Sequence, residues 1–229
     1  MTESGCRLEV SLSIIIPTLN EAQRIRAALE ALAPLRARGH EVIVADGGSD
    51  DGTPRLAQGL CDRMVGGARG RARQMNAGAR AASGDALVFL HADTRLPANA
   101  DALIASALSG SCWGRFDVAI DARHPLLGVV ARAMSLRSRL TGIATGDQAI
   151  FVRRDAFAGF PEIALMEDIA FSKAMKRRAA PACLRARVRT SGRRWESRGV
   201  LRTILLMWRL RLLYFLGARP ERLARLYES

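Results

Sequence analysis

The stretch Ile14-Ile15-Ile16-Pro17-Thr18-Leu19-Asn20-Glu21 decides how this chain is read. Three consecutive β-branched residues without polar alternation describe a short strand buried on both faces, as in a parallel sheet, and Asn20-Glu21 marks where it gives out. The pattern returns twice. Val42-Ile43-Val44-Ala45 runs into Asp46, and Leu87-Val88-Phe89-Leu90 runs into His91-Ala92-Asp93. In open α/β sheets the ligand crevice lies outside the carboxyl ends of the strands, so these polar ends are expected to line one site. Such a site is acidic. Clustered carboxylates repel an anionic ligand unless a divalent cation intervenes, so the expected contents are Mg²⁺ or Mn²⁺ bridging to a phosphate, or hydroxyl-rich groups.

Helical periodicity fills the intervals. Ile25, Ala28, Leu29 and Leu32 recur at helical spacing within residues 20–38, a second helix holds Leu56 and Leu60, and residues 70–83 and 98–108 form two more. Alternating strands and helices with short connections call for an α/β fold with a right-handed, parallel, doubly wound sheet. Further strands are expected at residues 116–120 and 149–153, separated by an arginine-studded helix over 126–140. No repeat or low-complexity linker interrupts the chain, and it reads as one domain with a helical tail after residue 195.

Composition narrows the function classes. The 229 residues are 49% apolar, enough to bury one sizeable core. Cys6, Cys61, Cys112 and Cys183 lie far apart with no C-x-x-C pair, which argues against a zinc knuckle or disulfide framework and fits a reducing cytosol. The start, from Met1 to Cys6, resembles no secretory signal, so a cytoplasmic protein is expected. Net charge is +13, from 35 Lys+Arg against 22 Asp+Glu, which favours phosphates or an anionic membrane face as partners. Nucleic-acid binding would rest on that charge alone and is not expected. The tail over 200–216 is apolar except for Arg202, Thr203, Arg209 and Arg211, and no uninterrupted run reaches the ~18 residues that span a bilayer. On a helix Arg202 and Arg209 share a face while Arg211 points away. Both a packed core helix and a peripheral membrane-surface helix with snorkelling arginines fit this pattern.

Pro17-Thr18-Leu19-Asn20-Glu21, the run from Asp46 to Thr53, Asn76 with Gly78, His91-Ala92-Asp93 and Glu167-Asp168 follow one another in an order and spacing that resembles the family 2 glycosyltransferases of the GT-A fold. The resemblance covers about residues 12–195. It implies a Rossmann-like, mostly parallel sheet flanked by helices, and inverting transfer of one sugar from a nucleotide diphosphate donor, a UDP- or GDP-sugar, to a hydroxyl acceptor. Gly146-Asp147-Gln148 and Arg193-Arg194-Trp195 are similar to segments of a small bacterial subgroup, the selenodomain-associated transferases.

Roles follow from that resemblance. His91 and Asp93 occupy the family's D-x-D position, with His91 replacing the first acid, and would ligate Mn²⁺ or Mg²⁺. Asp168 corresponds to the general base that deprotonates the acceptor hydroxyl, and Glu167 to its positioning partner. Pro17, Thr18, Asn20, Glu21, Asp46, Gly47, Asn76 and Ala92 would surround the donor. Arg71, near the start of a helix, could meet its phosphates. Arg194 and Trp195 match part of the Q-x-x-R-W motif of processive synthases, but Ser191 stands where the glutamine would be, which argues against polymerisation. Two other readings compete. A nucleotidyltransferase would need a glycine-rich basic loop where Pro17-Thr18-Leu19-Asn20-Glu21 stands, and a non-catalytic sugar-nucleotide or membrane-binding module would treat His91 as a mark of lost activity.

Overall fold

A computed structural model describes residues 10–122 and 124–228. The opening residues that carry Cys6 lie outside it.

Three strands form the spine: β1 (Leu12–Thr18), β2 (Glu41–Asp46) and β4 (Ala86–Phe89). They run parallel, with Ile14 in register with Val42 on one side and Val88 on the other. Their side chains alternate between two cores, as the two-residue period of a strand requires. Leu12, Ile14, Ile16, Val42, Val44 and Val88 meet Leu29 and Leu32 of α1 (Ile25–Ala37) and Ile104 of α4 (Ala100–Leu108). Ile15, Ile43, Leu87 and Phe89 face Met75 of α3 (Arg71–Ala81) and Phe171 of α6 (Glu167–Lys176). Burial on both faces is why these strands carry no polar alternation. The close approach of α3 to β1 depends on Gly78, where a Cβ would come within 2.5 Å of Ile15 Cγ2.

Five further strands complete the sheet: β3 (Arg63–Gly66), β5 (Thr94–Arg95), β6 (Trp113–Asp121), β7 (Ile150–Arg153) and β8 (Ala182–Ser191). The order is β3-β2-β1-β4-β7-β6-β8-β5. The sheet is mostly parallel, as the resemblance implies, with β7 running antiparallel to both β4 and β6, and β5 antiparallel to β8. The reversal places the site. Ile150 pairs with Phe89, so β7 begins at the edge where β4 ends, and the 3₁₀ turn Gly146–Gln148 just before it sits on the carboxyl edge of the parallel strands. The end of β8 joins the same edge, with Ser191 opposite Asp121 and Thr190 opposite Thr94.

The first two helices are shorter than expected. Asn20 adopts a left-handed φ of 56°, so no helix begins there and α1 starts at Ile25. The second helix, α2, spans only Thr53–Ala57, and Leu60 lies beyond it, past the left-handed Gly59.

α5 (Leu126–Thr141) packs on β6, and Asp117 of β6 pairs with both Arg115 and Arg139. α7 (Arg193–Arg198), α8 (Val200–Phe215) and α9 (Pro220–Glu228) close the chain. Leu210 of α8 and Leu223 of α9 are fully buried in a separate cluster with Ile143, Met166 and Ile169. The tail helix is therefore neither wholly core nor wholly free: one edge packs beside the start of α6 while Leu201, Leu205, Trp208, Leu212 and Phe215 stay exposed. Among the described residues no helix is long and apolar enough to cross a membrane.

Candidate active site

The loops after β1 and β2 are laced together. Asp46 accepts four hydrogen bonds, from Thr18 Oγ1 (3.0 Å), Ser49 Oγ (2.6 Å) and the amides of Gly48 (3.0 Å) and Ser49 (2.8 Å). Burial alone would push this carboxyl up. The donors from Ser49, Thr18 and Gly48 outweigh it and hold Asp46 below the usual carboxylate range. A carboxylate has about four lone-pair positions, and the four donors within the loop make Asp46 its organising residue. Asn20 and Glu21 are similarly engaged. Asn20 Oδ1 accepts from the Asp50 amide, and Glu21 pairs with Arg24 while its amide donates to Thr53 Oγ1.

Asn76 and Gly47 tie α3 into this edge. Asn76 exchanges hydrogen bonds with the backbone of Phe160, donating to its carbonyl at 2.9 Å and accepting from its amide at 2.8 Å. That pair of hydrogen bonds straps α3 to the loop before α6. Gly47 makes room for Gln74, a buried residue that sequence reasoning passed over; a Cβ there would lie 2.9 Å from the Gln74 amide. Gln74 Nε2 donates to the carbonyls of Thr18 and Ala45, tying α3 to the ends of β1 and β2. Pro17, opposite Ala45, lies beyond the last residue that β4 pairs with, so its missing N–H costs the ladder nothing there.

The acidic residues converge around α6 and the β7 turn. Asp168 Oδ2 accepts the Gly146 amide at 3.0 Å, and Oδ1 accepts the Ile169 amide at 2.7 Å. Glu167 is buried, 3.5 Å from Arg71 Nη1. Burial first and then the neighbouring Asp168 charge raise its carboxyl above the ordinary value, and Arg71 only partly offsets them. Glu167, Asp168, Arg71, His91 and Gly146 line one small pocket. Burial works against the Arg71 charge, but Glu167, Asp168, Asp147 and Asp93 surround it and hold its pKa up; its side chain is still 44% exposed.

His91 and Asp93 diverge. His91 Nδ1 lies 3.3 Å from Asp147 Oδ1, while Nε2 is buried without a hydrogen-bond partner against Gly146, where a Cβ would come within 2.6 Å of it. This arrangement aims His91 at Asp147, which the resemblance includes within Gly146-Asp147-Gln148 without giving it a role. Asp93 is exposed on the wall of a larger cavity of about 260 Å³, with Ala92, Arg24, Asp121 and Ser191. Among the described residues no group of three or more His, Cys, Asp or Glu side chains is gathered for a metal. Trp195 is half-buried on α7, and the side chain of Arg194 lies outside the described residues.

A parallel-strand edge that collects its polar ends beside an antiparallel β7 and an acidic helix start defines the glycosyltransferase GT-A class. Residues 13–123 match the family described as Glycosyl transferase family 2, so this stretch is a family 2 glycosyltransferase domain. Succinoglycan biosynthesis protein ExoA of Rhizobium meliloti (strain 1021) is 51% identical over 51 residues, which is 20% of this chain and 14% of that protein. Among solved structures, S. aureus TarS 1–349 in complex with UDP-GlcNAc superposes with a TM-score of 0.63 at 18% identity, covering 79% of this chain and 58% of that one. The mannosyltransferase PcManGT from Pyrobaculum calidifontis, in complex with GDP-Man and Mn²⁺, superposes with a TM-score of 0.61 at 20% identity, covering 96% and 69%. At these identities the structural matches speak for the fold. The chain thus spans a small part of ExoA and somewhat over half of the TarS fragment.

Proposed function

We propose that this protein transfers one sugar, with inversion, from a UDP- or GDP-sugar to a hydroxyl acceptor at or near a membrane surface. The observation that carries the proposal is the shared pocket of Asp168, Glu167, Arg71 and His91 on the edge that also bears Asp93. The acceptor oxygen attacks the anomeric carbon as the bond from that carbon to the donor's diphosphate oxygen breaks, and the acceptor proton passes to the Asp168 carboxylate. The Gly146 and Ile169 amides hold that carboxylate in place. Arg71 supplies positive charge beside it.

TarS and PcManGT are described with UDP-GlcNAc and with GDP-Man and Mn²⁺, which supports a nucleotide-sugar donor and a divalent cation. Asp93, exposed and open to the larger cavity, is the residue that would hold Mn²⁺ or Mg²⁺. Such ions commonly take one or two carboxylates plus substrate phosphates, so the absence of a three-residue cluster among the described residues fits this role. When bound, the cation neutralises charge on the departing diphosphate.

Support for a membrane-adjacent acceptor comes from α8 and α5. Leu201, Leu205, Trp208, Leu212 and Phe215 recur along one stripe of α8 at 59% to 70% exposure, and Leu126, Val129, Leu136 and Leu140 are bare on α5. Exposed Arg132, Arg202 and Arg209 flank them, as an anionic bilayer surface requires. The test is incubation with Mn²⁺ and a panel of UDP- and GDP-sugars, with and without anionic vesicles, reading nucleoside diphosphate release and vesicle sedimentation. Release from one donor class and sedimentation with the vesicles are expected. Donor binding without release under any condition defeats the catalytic half, and failure to sediment defeats the membrane half.

A further inference from the structure

Two arginines that the mechanism above does not use stand near Asp168. α8 is seated beside Asp168 by Leu210, which is buried against Met166 and Ile169, the residues that bracket the Glu167-Asp168 pair. That seat leaves Arg209 exposed and brings Arg211 into the field of Asp168 and Asp147. From α5 comes Arg137. Its neighbours on the same clamp are neutralised, since Asp117 takes Arg115 and Arg139, but Arg137 Nε and Nη2 are buried with no hydrogen-bond partner. Burying guanidinium donors unsatisfied is costly, and setting a second cation nearby adds to the cost. Burial first and then the Arg211 charge push Arg137 down to about 10, so it remains cationic at neutral pH, and burial lowers Arg211 as well. A site that holds two cations and idle N–H groups beside a general base is built to receive an anion.

We infer that Arg137 and Arg211 form an anion-binding subsite for a phosphate group carried by the acceptor. The inference rests on the reading of Asp168 as the base, because the group beside the base on the side away from the donor is the acceptor. Asp93, which would hold the cation, lines a different cavity from Asp168 and marks the donor side. Arginine suits the role because its planar fork grips a phosphate through paired hydrogen bonds. The same two helices carry the exposed apolar stripes, so a phosphate borne on a lipid reaches this subsite from the surface they present.

The test uses the full chain with its donor subsite filled by saturating UDP or GDP and Mn²⁺, and measures binding of two probes: inorganic phosphate, by thermal shift, and vesicles of phosphatidic acid in phosphatidylcholine, by sedimentation. Arg137→Met and Arg211→Met keep most of the aliphatic stem and remove the charge. Each is expected to weaken phosphate binding about tenfold or more while nucleotide affinity is unchanged. Arg137→Met is also expected to unfold at or above the wild-type temperature, because no partner is lost. Arginine dependence with inorganic phosphate identifies a soluble phosphorylated acceptor, and dependence with vesicles alone identifies a lipid-borne one. Phosphate binding that survives both substitutions overturns the inference. So does a parallel loss of nucleotide affinity, which would assign the pair to the donor's diphosphate. A chain that binds no nucleotide refutes the transferase reading, yet the comparison of wild type with the two variants in phosphate still decides whether the subsite exists.

Discussion

Replacing Asp168 by Asn removes a proton acceptor and, less obviously, one hydrogen-bond acceptor. Both carboxylate oxygens accept backbone amides, Gly146 at 3.0 Å and Ile169 at 2.7 Å, whereas a carboxamide offers one oxygen and one NH₂. Whichever way the amide is turned, one backbone N–H faces another donor, at a cost of about 1–3 kcal/mol. In a chain of this size each kcal/mol lowers the unfolding temperature by about 2–4 °C, so a drop of roughly 2–12 °C is the range for Asp168→Asn. Relief of Glu167 offsets part of it, since the Asp168 charge is one of the influences that raise the Glu167 carboxyl. Catalysis falls further, by roughly 10²- to 10⁴-fold, the usual contribution of a positioned general base. Calorimetry and nucleoside diphosphate release on one preparation separate the two effects, with UDP affinity as the control for an intact donor pocket. Turnover within a few-fold of wild type would refute the base assignment, and an unchanged unfolding temperature would refute the two-amide geometry.

Two other outcomes follow from the same pocket. Gly146→Ala places a Cβ within 2.6 Å of His91 Nε2, so the imidazole must shift and its contact with Asp147 is lost; the expected cost is about 1–3 kcal/mol, with displaced His91 resonances in NMR, and an unmoved ring would refute the packing. Glu167 sets a pH dependence. Its folded pKa lies above the unfolded value of about 4.3, so the native state holds the proton more tightly across that window and stability falls as pH rises through it. Glu167→Gln should flatten that decline in thermal melts. Asp46 acts in the opposite sense at lower pH: its stabilisation is present above the unfolded aspartate value and is lost as pH falls through its lowered folded pKa.

The parts of this fold that the sequence declares are those where one physical demand dominates. β1, β2 and β4 are buried on both faces, and their unbroken apolar runs say so. β8 went unread because it is half-exposed: Leu184, Ala186, Val188 and Thr190 turn inward while Arg185, Arg187 and Arg189 stay exposed, and the arginines drew attention to charge instead of to the two-residue period. β3 is short and largely exposed, with no period at all. In the site, Glu167-Asp168 and Asp93 were legible because acids at strand and helix ends have a chemical reason to be there. Gln74 and Arg137 were not, and Asp147 stood in a matching segment without a role, because what these residues do depends on which loop lies above them. Arg211 did leave a trace, as the one tail arginine pointing away from the other two, and its meaning needed the position of α6.

The charge clamp on β6 has a mechanical side. Arg115, fully buried, and Arg139 grip opposite oxygens of one carboxylate, so α5 is bolted to the sheet by directional bonds that sliding would break. α8 is held mostly by Leu210 and its apolar neighbours, which have no preferred angle, with Lys173 of α6 set over the Tyr214 and Phe215 rings at its end. The two helices near Asp168 are thus fixed by different physics, α5 by a directional ion pair and α8 chiefly by an apolar seam.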